Sequence, residues 1–94
     1  MGKEVTLFKS EEKRSLGDVA QFLRKLADRL DQGKVVFNQG DKKVKLKLPQ
    51  VVELEIEVEK ETGKRGTEME MEIEIKWKVD ESGKPKEKSP VILD

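Results

Sequence analysis

Residues 51–79 read VVELEIEVEKETGKRGTEMEMEIEIKWKV, an almost unbroken alternation of apolar and charged side chains about a Gly-containing centre. A period of two places successive side chains on opposite faces of an extended strand, so this stretch predicts a long β-hairpin with one apolar face. Register follows from the pattern, because a one-residue slip turns every side chain over. Closing the hairpin with Glu59 opposite Glu68 sets Val58 against Met69, Ile56 against Met71, Leu54 against Ile73 and Val52 against Ile75. The outer face then sets Glu57 opposite Glu70, Glu55 opposite Glu72 and Glu53 opposite Glu74. Like charges directly opposite one another destabilise a ladder.

Working back from the hairpin, residues 43–48 (KVKLKL) alternate in the same way, with Val44, Leu46 and Leu48 on one face and Lys43, Lys45 and Lys47 on the other. Pro49 ends that strand, since proline cannot donate to a ladder. Pairing Leu48 with Val52 through the short loop would bring Lys47, Lys45 and Lys43 opposite Glu53, Glu55 and Glu57. Upstream, KVVFNQ reads as a further strand closed by a Gly40-Asp41 turn.

Between residues 15 and 33 the period changes. Leu16, Val19, Ala20, Leu23, Leu26, Ala27 and Leu30 recur at i, i+3, i+4 and i+7, forming one apolar helical stripe with Phe22 at its rim. Ser15 is suited to the N-cap, Asp18 favours the positive helix end, and Gly33 stands where a C′ glycine stops a helix. Residues 4–10 (EVTLFKS) read as a short first strand, although adjacent Leu7 and Phe8 blur its inner face. The expected order is β-α-β-β-β-β: an α+β domain with a single amphipathic helix packed on one face of a five-stranded, mostly antiparallel sheet. The domain is expected over residues 1–79. Residues 80–94 read as a polar, proline-bearing flexible tail ending in the apolar Val91-Ile92-Leu93.

Composition narrows the chemistry. The 94 residues carry no cysteine, histidine or tyrosine, and 20 basic residues balance 20 acidic ones. Thiolate metal sites, disulfides and the His- or Cys-based catalytic sets are thereby removed, and no phosphate-binding glycine loop has the required spacing. No catalytic residue, metal or cofactor is expected. The charged N-terminus has no leader-like apolar run, and no stretch has the length of a membrane helix, so a cytoplasmic location is expected. The zero net charge conceals segregation: nine glutamates lie between residues 53 and 74 against Lys60, Lys64 and Arg65. Nucleic acid is an unlikely partner for an acidic sheet whose aromatics point inward.

The carboxylate stripe has a plain reading and two specific ones. Plainly, it is a solvated face whose charges keep alternating strands from stacking. More specifically, Glu55, Glu57, Glu70 and Glu72 form a docking surface for a basic protein partner, or a place for cations or a small ligand. A further expectation comes from the apolar face, which one helix about 10 Å wide cannot cover across five strands, so either the sheet curls tightly around the helix or a second copy, in a homodimer, covers the remainder. Trp77 shares parity with Ile73 and Ile75 and is expected to close the core, with stacking on a ligand as the alternative.

The succession LFKS, a capped helix ending LADRLDQG, a Pro-interrupted pair of amphipathic strands and then MEMEIEIKW resembles the amphi-Trp domain family over about residues 4–79. That prokaryotic family is named for an amphipathic segment leading to a tryptophan, here Glu68 to Trp77. The resemblance implies a small stand-alone domain of unknown function and supplies no catalytic residues. The functional expectation is therefore a non-catalytic protein-interaction module that self-associates. The alternatives are a cation- or small-ligand-binding domain and a weak accessory nucleic-acid binder.

Overall fold

A computed structural model describes residues 2–80 and 83–85. Among these residues it shows an α+β arrangement with one helix and four antiparallel strands: α1 (Leu16–Asp31), β1 (Lys34–Gln39), β2 (Lys42–Lys47), β3 (Glu53–Gly63) and β4 (Gly66–Lys76). The chain divides into two compact units, Met1–Leu48 and Pro49–Asp94.

In the first unit the expected helix punctuation is present. The Asp18 N–H donates to Ser15 Oγ at 3.0 Å, and the Val19 N–H to the Ser15 carbonyl at 3.1 Å. Both bonds satisfy donors that the first turn would otherwise leave open. At the other end Gly33 takes φ 71°, a left-handed conformation that costs a glycine little, and its N–H donates to the Leu30 carbonyl at 2.9 Å. The chain then enters β1, which packs against α1 and pairs with β2 in the register Val35–Leu46 and Phe37–Val44. Val35 is the one buried apolar residue among those described, at 5% exposure. Ala20, Leu26, Leu30, Val44 and Leu46 are half-buried. Gly40, at φ 58°, makes the turn between the strands.

Residues 4–10 do not form the expected first strand. They carry no regular structure, and Val5 and Leu7 are 74% and 60% exposed. Seven residues with two adjacent apolar side chains offer no clean period-two face to a neighbour. They are held by a side chain instead: the Phe8 ring stacks on Phe37 with centroids 5.4 Å apart and planes 26° from parallel. The observed order is thus α-β-β-β-β.

Nor do the strands join in one five-stranded sheet. Among the described residues they form two sheets of two strands, β1–β2 and β3–β4. β2 is paired with β1, and the Leu48 N–H continues that ladder by donating to the Gly33 carbonyl at 2.9 Å. Pro49 follows immediately and has no N–H to offer. Across that ladder Lys47, Lys45 and Lys43 face Lys34, Val36 and Asn38, and among the described residues β2 is not paired with β3, so the expected Lys–Glu rungs are not formed.

The second unit is built on the β3–β4 hairpin. Its strands run to Gly63 and Gly66 and turn through Lys64-Arg65 alone, with Gly66 at φ 121°. This tighter turn shifts the register by two residues from the one the alternation suggested. Ile56 faces Ile73, Val58 faces Met71 and Leu54 faces Ile75. A two-residue shift preserves every side chain's face, so the pattern could not separate the two registers. Physically the observed one is better: it extends the ladder through Thr62–Thr67 and brings Glu53 opposite Lys76 instead of Glu74. Beyond β4, Trp77 is half-buried. The chain then reverses, with the Asp80 N–H donating to the Lys84 carbonyl (2.8 Å), the Lys84 N–H to the Asp80 carboxylate (2.9 Å), and Val79 bridging Pro85. The remainder of the expected tail, residues 81–82 and 86–94, lies outside the described residues. No helix among the described residues is long and apolar enough to cross a membrane.

Candidate interaction surface

The hairpin places Glu55, Glu57, Glu70 and Glu72 on one face, as parity requires. The shifted register changes how they meet. Glu57 faces Glu72, while Glu55 faces Glu74 and Glu70 faces Glu59. With Glu61 opposite Glu68, four consecutive same-face positions are like-charge pairs. Directly opposite side chains on such a ladder stand about 5 Å apart at Cβ, well inside the screening length of physiological salt.

One cation relieves the base of this stripe. Lys76 Nζ lies 3.1 Å from Glu55 Oε2 and 3.8 Å from Glu74 Oε2. The hydrogen bond to Lys76 and its positive charge hold the Glu55 carboxyl below its ordinary value, and the same contact raises the Lys76 ammonium. Two rungs further toward the turn the direction reverses. A hydrogen bond with Glu59, and that neighbour's negative charge, push Glu57 upward. Glu70 does the same to Glu72, with added repulsion from Glu57 and Glu55. Glu57 and Glu72, which face one another, are thus both carboxyls held above the ordinary value.

The stripe is flat. Its carboxylates project from an open ladder, whereas a tight calcium site surrounds the ion with six to eight converging oxygens. Among the described residues no group of three or more acidic side chains converges to hold a metal ion.

The first unit holds a feature that sequence reading did not single out. A concavity of about 870 Å3 is lined by Phe8, Phe22 and Phe37, with Arg14, Lys25 and Asn38 among its polar neighbours. These are all three phenylalanines of the chain. They come from the N-terminal segment, the helix and β1, so no local spacing could have grouped them. Arg14 is already engaged, its Nε donating to Glu12 Oε2 at 2.9 Å.

The Amphi-Trp domain model matches residues 1–92. The chain belongs to the Amphi-Trp domain family. In this member the alternating segment that leads to the tryptophan is β4, and its glutamates supply half of the acidic face. The match extends past Val79 to Ile92. Neither the curated proteins nor the solved structures contain a match to this chain.

Proposed function

We propose that this Amphi-Trp domain is a non-catalytic interaction module that docks a basic protein segment on the outer face of β3–β4, through Glu55, Glu57, Glu70 and Glu72. One observation carries the reading: four successive Glu–Glu rungs are relieved by Lys76 alone among the described residues. A solvated face needs charge, but alternating signs would provide it without repulsion. Concentrating one sign on one face creates a field that attracts and orients a cationic partner. The proposal keeps the cytoplasmic setting expected from the sequence.

A ten-residue lysine peptide titrated calorimetrically against the full chain tests the reading. Binding should be detectable at low salt, weaken as salt rises, and fall at least tenfold when the four glutamates are replaced by glutamine. Equal binding by the glutamine variant would overturn the proposal. The raised Glu57 and Glu72 also support a second reading, in which the face takes divalent cations or a small cationic ligand. Amide NMR shifts confined to β3–β4 on adding millimolar calcium or magnesium would favour it.

A further inference from the structure

The apolar face of β3–β4 has the stronger physical claim on a partner. Leu54, Ile56, Val58, Met69, Met71 and Ile73 line it and remain 54–69% exposed. A two-stranded hairpin with one such face is marginal in water and needs another layer. We propose that this layer is the same face of a second copy, the two hairpins packing sheet on sheet about a two-fold axis.

Area supports a second copy. At roughly 100 Å2 of removable surface per side chain, with smaller shares from Val52 and Ile75, the face offers about 700 Å2 per copy. The pair would bury about 1,400 Å2, within the range of stable, specific interfaces. An apolar patch of this size exceeds what a typical monomer leaves in contact with water.

Composition supports it as well. The six residues are aliphatic or methionine, so packing them against themselves leaves no polar group without a partner. The patch is also bounded. Toward the turn Lys60 stands opposite Met69, and Thr62 and Thr67 lie 3.3 Å apart at their hydroxyls, giving that end a polar rim. Two such sheets would face one another about 10 Å apart with their strands within about 30°.

The opposite face determines where assembly stops. A third sheet would have to stack on a row of glutamates, which repel one another and cannot be desolvated unpaired. A strand with two apolar faces stacks indefinitely; an alternating one, with one apolar and one acidic face, closes at two copies. The dimer would present two acidic faces pointing away from each other, and therefore two docking surfaces for a basic partner.

Equilibrium sedimentation of the full chain, from micromolar to millimolar, tests the assembly. Single cysteines test the face, since the chain has none of its own. The expected mass is twice 10.8 kDa at the upper concentrations. Mild oxidation should crosslink Ile73→Cys several-fold faster than Glu72→Cys, its neighbour on the outer face. A mass of 10.8 kDa throughout, or equal crosslinking of the two variants, would overturn the proposal. Circular dichroism confirms that each variant is folded, and wild-type sedimentation needs no variant. The four-glutamine variant should remain a dimer even if it loses the basic peptide; loss of its dimer would place the interface on the wrong face. Failure of self-association is thereby read separately from failure of basic-partner docking.

Discussion

The two hairpins of this chain use one rule of alternation for opposite ends. In β1–β2 six-residue strands lie beside a helix, and the period yields a buried residue, Val35, with lysines outside. In β3–β4 eleven-residue strands alternate far more regularly, yet every described residue of both strands except Ile75 is exposed. Regularity of pattern specifies a strand and its faces. Burial depends on a second layer, and a short strand beside a helix has more of it than a long strand alone.

Replacing one apolar side chain with a charge in each hairpin should separate the two most widely. Val35→Asp puts a charge where 5% of the side chain reaches solvent, and should cost about 3 kcal/mol or more in unfolding followed by helix ellipticity. Ile56→Asp, at a position 64% exposed, should move the same transition by less than about 0.5 kcal/mol. Its effect should fall on self-association instead. A similar loss from both substitutions would mean that the two regions share one core, and the contrast would fail.

Next in size are the two ends of α1. Ser15→Ala removes the acceptor of the Asp18 N–H and should lower stability by about 1 kcal/mol. Gly33→Ala should cost about as much, because φ is 71° there and a side chain is strained even though its Cβ would meet only the Leu48 carbonyl, at 3.6 Å. Gly66→Ala is the matching change in the other hairpin. Its Cβ enters open space, but φ 121° is strained for any other residue, so the tight turn should loosen. Amide exchange should then quicken at Thr62 and Thr67 while α1 is unchanged.

These positions also show where the sequence was legible. Ser15, Gly33 and the Gly40 turn act locally, through backbone geometry that a few adjacent residues determine, and each is where its residue type suggested. The face of every side chain in β3–β4 was likewise legible, because parity survives any even shift. The register itself was not. Alternation is blind to a shift of two, and the choice between the loop at 61–66 and the tight Lys64-Arg65 turn depends on the Glu53–Lys76 rung and the longer ladder. Sheet membership was harder still. Leu48 and Pro49 are adjacent in sequence, yet one continues the β1–β2 ladder and the other has no N–H to continue any. Residues 4–10 looked like a strand by composition, but their anchor is a ring contact 29 residues away, between Phe8 and Phe37. The three phenylalanines of the concavity meet only through that packing.

The smallest expected effect is also the most specific to the acidic hairpin, and its sign can be derived. Glu57 and Glu72 have carboxyls raised above the ordinary value of 4.5 by neighbouring glutamates. A raised carboxyl means that the folded ladder binds protons more tightly than the unfolded chain. Its contribution is most favourable below the unfolded value and is lost as pH rises through the folded one. Lowering the pH from neutral toward 4.5 should therefore tighten β3–β4, read as higher amide protection factors along its ladder. Glu55 runs the other way: its carboxyl is lowered by Lys76, so its contribution is present above 4.5 and is lost as pH falls through the folded value. Protection, which is exchange corrected for its intrinsic pH dependence, should rise and then fall again on further acidification. Glu57→Gln with Glu72→Gln should abolish the first limb and leave the second, while Lys76→Gln should abolish the second. The β1–β2 ladder should respond to neither substitution, since the replaced residues lie on β3 and β4. A monotonic loss of protection from neutral pH downward would mean that the glutamates do not repel one another in solution. The acidic face would then lack the uncompensated field on which the proposed docking of a basic partner depends.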